Sequence, residues 1–265
     1  MPKKIVGVEK FLLTLSIAGS LLVFFLLSPV IALFISIDPD TLSQTLYRDP
    51  VLANEFRRAL LVTLEASVLS TSILLVLGIP LAYILARKRF WGREFIESLI
   101  DVPLMIPHAV AGVMVLVAYG RRGLLGPITS WLGLAVDDSF WGIVATMAFV
   151  SAPIMIDTLK IGFRSIDPML EYIGRSLGAS PYKVFQTITL PLALRSILSG
   201  AILSWARALS EVGAILIVAY YPKSINVLVI EWFSTYGIRY AVSISLVLAL
   251  LSLAVFTLLR LVVEK

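Results

Sequence analysis

Three ionisable residues, His108, Arg207 and Glu211, stand inside segments that are otherwise apolar. Arg207 and Glu211 are four residues apart, so a helix places them on one face, where they can form an ion pair. Because a charge in the middle of a membrane costs about 2.5–3.5 kcal/mol on insertion scales, we expect both to face protein or water. Two interpretations stay open: a structural ion pair between neighbouring helices, and a charged site on a path across the membrane.

His108 follows two prolines, Pro103 and Pro107. Each proline lacks a backbone donor and bends a helix, and a bent helix can line a cavity. The sequence has no cysteine and one histidine, which excludes thiolate metal sites and nucleophiles built on Cys or a His dyad. We therefore predict no catalytic residue and no metal site. For His108 the alternatives are a hydrogen-bonded packing residue and a place beside the same path.

The chain that must position these residues is too apolar for a soluble domain. Of its 265 residues 59% are hydrophobic and 15% are charged, and the mean hydropathy is +0.96. The uncharged stretch 11–37 alone exceeds the ~20 residues that a helix needs to cross a bilayer. The apolar segments also lack the strict alternation of barrel strands. We predict an all-α integral membrane protein with one domain, 1–265, and six transmembrane helices at about 11–37, 59–86, 99–120, 139–163, 196–221 and 240–262.

The basic residues indicate the orientation of these helices. With six spans both termini lie on one side, and that side carries about twice as many Lys and Arg as the other. Cytoplasmic segments of membrane proteins carry such an excess. We predict a multi-pass protein of the cytoplasmic membrane with both termini in the cytoplasm. The net charge of +5 then requires no nucleic-acid partner.

The segment 164–195, between the fourth and fifth spans, carries helix signals of its own. Asp167-Pro168 predicts a capped helix start and Gly178 a left-handed stop. Ser180-Pro181 predicts a second start, and Leu190-Pro191 predicts its end, since the residue before proline avoids helical angles. The two short amphipathic helices either lie on the lipid headgroups or form a docking knob for a partner.

One string in this segment is similar to a known family. Gly178 is followed after nine residues by Ile188 and then by Leu190-Pro191, which resembles the EAA loop of ABC-transporter permeases, the part that contacts the ATP-hydrolysing subunit. The Glu-Ala-Ala start is replaced by Tyr172-Ile173-Gly174, or it is shifted by one residue so that Glu171 supplies the acid. The resemblance implies an ATPase-coupling interface made of Glu171, Tyr172, Ile173, Gly174, Arg175, Ser176, Leu177, Gly178, Ala179, Ser180 and Pro181.

The resemblance extends over most of the chain and points to the molybdate/tungstate branch of these permeases, with sulfate permeases close to it. It implies a MetI-like fold, a homodimer of two permease copies, two cytoplasmic ABC ATPase subunits that bind ATP and Mg, and an extracytoplasmic oxyanion-binding protein. His108, Arg207 and Glu211 are then candidates for the translocation pathway or its gate. The similar segments are 81–88, 101–112, 204–214 and 219–222.

The sequence contains no G-x-x-x-x-G-K-[ST] loop to hold phosphates, so we predict that this chain is not itself an enzyme and binds no cofactor. We predict the permease subunit of an ATP-driven importer for molybdate or tungstate, coupled to its ATPase through the segment 168–190. One alternative is a sulfate or thiosulfate permease. Another is a proton-coupled secondary transporter, which would work without an ATPase.

Overall fold

The computed structural model describes residues 2–263, and describes side chains over residues 11–257. Met1, Glu264 and Lys265, the outermost residues of the predicted domain 1–265, lie outside the described residues. The described chain consists of helices joined by turns and short loops, and no strand occurs within it. The predicted all-α class is confirmed.

The described residues form α-helices and two π-helical turns. Several helices start at a capping residue followed by proline, as at Asp49-Pro50, where the Asp49 carboxylate accepts hydrogen bonds from the backbone of Val51 and Leu52. The π-helical turns are Gln44–Arg48, after α2, and Phe185–Thr189, after α9. The α-helices are α1 Pro2–Ile35, α2 Pro39–Ser43, α3 Pro50–Arg87, α4 Arg93–Met105, α5 His108–Tyr119, α6 Gly126–Trp131, α7 Phe140–Ser165, α8 Pro168–Ser176, α9 Pro181–Val184, α10 Leu190–Leu209, α11 Gly213–Val218, α12 Ile225–Tyr236 and α13 Ile238–Val263.

Five helical segments of the described chain are long and apolar enough to cross a bilayer. Each overlaps one of the predicted spans, which agrees with a multi-pass membrane protein. These segments are Phe11–Ile35, Pro50–Arg87, Phe140–Ser165, Pro181–Leu209 and Ile238–Thr257.

The predicted third span, 99–120, is divided into two helices rather than one. Pro107 has no N–H and disfavours helical angles at Ile106, which is extended (φ −81°, ψ 148°). α4 therefore ends at Met105, and α5 starts at His108 and runs for 12 residues. A helix of this length is too short to cross the membrane alone.

The predicted fifth span, 196–221, begins earlier than expected. The expected helix end at Leu190-Pro191 is wrong, because Leu190 keeps helical angles (φ −63°, ψ −46°) and the helix continues to Leu209. The π-helical turn Phe185–Thr189 ends two residues before this proline, and such a local change in the hydrogen-bond pattern lets a helix accommodate the missing N–H.

The same predicted span also ends earlier than expected. α10 stops at Leu209, and residues 210–212 separate it from the short helix α11. In the described part of the chain, helix breaks therefore lie inside two of the predicted apolar spans, one before His108 and one around Glu211.

α3, α7 and α10 form the centre of the bundle, and each contacts the other two. Small residues permit this packing: Gly162 of α7 faces Ser196 of α10 so closely that no Cβ atom would fit at Gly162. We call the end of the bundle that carries α8 and α9 the loop end, and the end that carries the start of α3 the opposite end. Three of the apolar clusters among the described residues follow one another from the loop end to the opposite end; their members include Leu85, Leu159 and Phe163, then Ile143, Met147 and Ile215, then Phe56, Leu228 and Trp232.

Candidate functional site

The two helix breaks lie side by side because α5 and α11 pack closely against each other. A Cβ atom on Gly112 of α5 would lie 2.6 Å from the carbonyl oxygen of Ala214. A Cβ atom on Gly213 of α11 would lie 2.7 Å from the Cβ atom of His108. The two glycines therefore bring the first turn of α5 next to the first turn of α11.

The three ionisable residues of the apolar segments meet at these breaks, and together they are called the break cluster. Glu211 Oε2 lies 2.9 Å from Arg207 Nη1 and 2.9 Å from His108 Nδ1. Arg207 Nη2 also lies 3.2 Å from His108 Nδ1, so the three side chains meet at a single point. The predicted contact between Arg207 and Glu211 is confirmed.

Backbone contacts fix the break around Glu211. The other carboxylate oxygen of Glu211, Oε1, accepts a hydrogen bond of 2.8 Å from the backbone N–H of Ala214 in α11. The side-chain amide of Asn226 donates to the carbonyl oxygens of Leu209 and Glu211, at 2.7 and 2.9 Å. The free backbone groups at this helix end thus have partners, and the break is a defined structure.

The charges of the break cluster are arranged by depth. The Glu211 side chain is 0% exposed, whereas the His108 side chain is 58% exposed. Arg207 lies between these extremes and lines, with Ser210 and Asn226, a cleft of about 500 Å³ between α10, α12 and α13. Arg207 and His108 are therefore the exposed members of the break cluster, and the Glu211 carboxylate lies behind them. This arrangement can attract an anion briefly without forming a deep binding well.

The loop between α7 and α10 contains the predicted helix starts and the predicted stop. The Asp167 carboxylate accepts a hydrogen bond of 2.8 Å from the backbone of Met169, and the Ser180 hydroxyl accepts one of 3.3 Å from the backbone of Lys183. Gly178 has a φ of +89°, a left-handed angle that L side chains rarely adopt. These local signals are confirmed.

Most of the eleven residues predicted for the coupling interface form the outer surface of this loop. The apolar ones are unusually exposed, and the Leu177 side chain reaches 83%. Arg175 lies over the ring of Tyr172, with 4.7 Å between the guanidinium carbon and the ring centre. Such a protruding apolar surface is typical of a contact site for another protein. The exposed members are Tyr172, Ile173, Arg175, Ser176, Leu177, Gly178, Ser180 and Pro181, and Ala179 is half-buried.

The two remaining members of the predicted interface, Glu171 and Gly174, point into the protein and are buried. A Cβ atom on Gly174 would lie 2.9 Å from Ile188 Cδ1 and 3.0 Å from Val184 Cγ2, so α8 packs here against α9 and the π-helical turn. Glu171 forms an ion pair with Arg87 at the end of α3, with 2.9 Å between Oε1 and Nε.

Two further ionic networks were not predicted from the sequence. At the opposite end, Lys223 Nζ binds Glu55 at 2.5 Å and Glu231 at 2.7 Å. Burial favours the neutral form of Lys223, but its hydrogen bonds to Glu231 and Glu55 outweigh this effect and raise its pKa. At the loop end, the Glu97 carboxylate binds Arg93 and contacts other cations of α7. No local spacing signals the Lys223 network, since its partners are far apart in sequence.

Comparison with known proteins identifies the class to which this arrangement belongs. Residues 78–265 match the family described as binding-protein-dependent transport system inner membrane component. The chain belongs to this family.

Individual relatives agree with this assignment over nearly the whole chain. A molybdate/tungstate transport system permease protein of Pyrococcus furiosus is 44% identical over 249 residues, which cover 93% of each chain. A protein of the same description from Methanocaldococcus jannaschii is 40% identical over 253 residues, or 95% of this chain and 96% of the relative. A bacterial ABC transporter for import of the acidic polysaccharide alginate shares the fold, with a TM-score of 0.72, 21% identity and coverage of 97% and 96% of the two chains.

Proposed function

We propose that this chain is the membrane-spanning permease subunit of an ATP-driven ABC importer for molybdate or tungstate. The observation that carries the proposal is the exposed apolar surface of α8 and α9. The chain that bears this surface belongs to a transport family, and relatives of the chain are named for these oxyanions. An apolar surface outside the bilayer needs a protein partner. Because this chain has no phosphate-binding loop of its own, that partner is the ATPase subunit.

The excess of Lys and Arg on one side supports an orientation with the loop end and both termini in the cytoplasm. Two cytoplasmic ABC ATPase subunits then hold ATP and Mg, and this chain binds neither. The opposite end faces outward, where an extracytoplasmic binding protein delivers the oxyanion. The description of the family as binding-protein-dependent supports this partner.

Exposed polar side chains within the bundle support a homodimer. In a single chain the cleft beside Arg207 is open, and His108 is more than half exposed. Leaving such groups against lipid is unfavourable. When two copies of the chain pack together, the cleft of each copy is covered, and one pathway is enclosed between the two bundles. Arg207, His108 and Glu211 of each copy then form the pathway or its gate.

The transport cycle follows from two-state behaviour of this dimer. ATP brings the two ATPase subunits together, α8 and α9 move with them, and the permease opens outward. The oxyanion enters, meets Arg207 and His108 at the helix breaks, and is released inward after hydrolysis. A weak site serves this cycle better than a tight one, because a deep well would trap the dianion.

Reconstitution of the permease with its ATPase and binding protein in vesicles tests the proposed function. We expect the binding protein loaded with molybdate or tungstate to stimulate ATP hydrolysis and to drive uptake that a protonophore does not abolish. Stimulation by sulfate alone would mean that the substrate is sulfate and not molybdate or tungstate. Uptake that ignores ATP and collapses with the protonophore would instead identify a proton-coupled carrier.

A further inference from the structure

Glu171 is a buried carboxylate on a helix whose other face is exposed. Its side chain is 11% exposed, and that of its partner Arg87 is 10% exposed. Three donors hold it: Arg87 Nε at 2.9 Å and Thr189 Oγ1 at 3.0 Å from Oε1, and the Tyr83 hydroxyl at 3.1 Å from Oε2. Glu171 is therefore fully engaged inside this chain and does not belong to the surface offered to a partner.

This one carboxylate connects α8 to the elements that surround it. Tyr83 and Arg87 belong to the last turns of α3, and Thr189 ends the π-helical turn that leads into α10. Arg87 also donates a second hydrogen bond, from Nη2 to the carbonyl oxygen of Ile166 at 3.0 Å, directly after α7. The cluster thus joins α8 to all three central helices.

The partners of Glu171 are themselves held in place by packing. The ring of Tyr83 lies edge-on to Phe163 of α7, with 5.6 Å between ring centres. It also lies edge-on to Phe185 of the π-helical turn, at 4.9 Å. These contacts aim the Tyr83 hydroxyl at Glu171, so the cluster has one defined geometry.

Only two residues of α8, Glu171 and Gly174, are buried. The contact at Gly174 is steric, against Val184 and Ile188, and it holds α8 close to the bundle without fixing its direction. The contact at Glu171 is directional, because the ion pair and its hydrogen bonds fix both oxygens. Loss of this contact leaves the steric contact at Gly174 as the one remaining contact made by a buried residue of α8.

From this geometry we infer that Glu171 is the positioning residue that links α8 rigidly to α3, α7 and α10, so that movement of the exposed loop reaches the bundle. The inference rests on the proposed function and adds a residue that acts inside the permease rather than on the ATPase surface. Burial of a charged pair is unfavourable unless every group finds a partner, so simple packing would be served as well by apolar side chains. The charges of this pair are explained if the pair links elements that move together.

The first experiment measures transport and hydrolysis together in the reconstituted complex. Glu171→Gln keeps the size and the hydrogen-bond acceptor but removes the ion pair. We expect the complex to assemble and to hydrolyse ATP, while the number of oxyanions transported per ATP falls about fivefold or more, in the range of measured coupling energies. Glu94→Gln, at an exposed acid in the first turn of α4, is the matched control and leaves this ratio unchanged.

A second experiment tests the link without transport. The sequence has no cysteine, so Ser176→Cys on α8 and Lys88→Cys after α3 give one labelled pair in each copy of the permease. We expect a narrow distribution of distances between spin labels, which broadens in Glu171→Gln and in Arg87→Lys. An unbroadened distribution in both variants, or an unchanged ratio of transport to hydrolysis, would overturn the inference. If the unaltered complex transports no oxyanion, the proposed function fails, while the label distances still decide on the link.

Discussion

His108 Nδ1 lies 2.9 Å from Glu211 Oε2, across two helix breaks and 103 residues of sequence. The same carboxylate oxygen binds Arg207 Nη1, and the other oxygen caps α11. Arg207 is always charged, so the fully buried Glu211 is the counter-charge that limits the positive potential at the breaks. The charge of Glu211 therefore affects two properties: the stability of the helix breaks and their attraction for an anion.

Replacement of Glu211 by Gln separates its charge from its capping contact. An amide oxygen can still accept the N–H of Ala214, but the contact to Arg207 loses its ionic part. We expect the free energy of unfolding to fall by about 2–3 kcal/mol, somewhat less than for a pair that is buried on both sides. Thermal unfolding in detergent measures this change.

Glu211→Ala serves as the companion variant, because it removes the cap as well. It is expected to lower the free energy of unfolding by about 1 kcal/mol more than Glu211→Gln does. Exposed Glu94→Gln should stay within about 0.5 kcal/mol of the unaltered protein. Equal unfolding midpoints for Glu211→Gln and Glu94→Gln would contradict an ionic contribution from the break cluster.

The close approach of α5 and α11 predicts an effect of one methyl group. In Gly112→Ala the new Cβ atom meets the carbonyl oxygen of Ala214, so the two helices must separate, which costs about 1–3 kcal/mol. Gly19→Ala in α1 is the matched control, since its Cβ atom meets nothing within 4 Å. Alanine favours a helix by up to about 1 kcal/mol over glycine, so this control should be neutral or stabilising. Unfolding midpoints that shift in the same direction would contradict this packing.

Replacement of Gly178 is expected to cause a defect through backbone strain and not through steric crowding. Its φ of +89° strains any β-branched residue, although a Cβ atom there would meet nothing within 4 Å. We expect Gly178→Val to distort the loop at a local cost of about 1–3 kcal/mol and to weaken assembly with the ATPase. Co-purification of the two subunits at several concentrations measures the loss.

Gly133 provides the control for Gly178, because it has a similar φ of +72° and equally open surroundings, but belongs to the turn after α6 and not to the loop of α8 and α9. Gly133→Val should be strained without changing assembly, and Gly178→Asn should assemble well, since Asn tolerates left-handed angles. Equal assembly of the two valine variants would show that the shape of the loop is not what the partner recognises.

Local features of the sequence predicted local features of the fold. The caps at Asp167 and Ser180, the stop at Gly178 and the pair Arg207 and Glu211 all depend on residues within one or two helical turns. Their geometry is determined by backbone and side-chain reach alone, so spacing was sufficient.

The contacts that spacing could not predict are tertiary. His108 meets Glu211, Arg87 meets Glu171 over 84 residues, and Lys223 meets Glu55 over 168 residues. Which helices lie side by side decides these pairs, and a single sequence does not contain that information in its periodicity. At Leu190-Pro191 the local rule itself failed, because a π-helical turn lets the helix continue through proline.

The raised pKa of Lys223 predicts how the opposite end responds to alkali. A group whose pKa is higher in the folded state contributes stability that is complete below its ordinary pKa of 10.5 and is lost as the pH rises through the raised value. The unfolding midpoint of the unaltered protein should therefore exceed that of Lys223→Gln by a constant amount up to about pH 10, and the difference should shrink at higher pH. Lys88→Gln, at an exposed position, should change the midpoint little at any pH. A difference for Lys223→Gln that persists unchanged well above its raised pKa would mean that the ammonium charge does not hold Glu55 and Glu231 together.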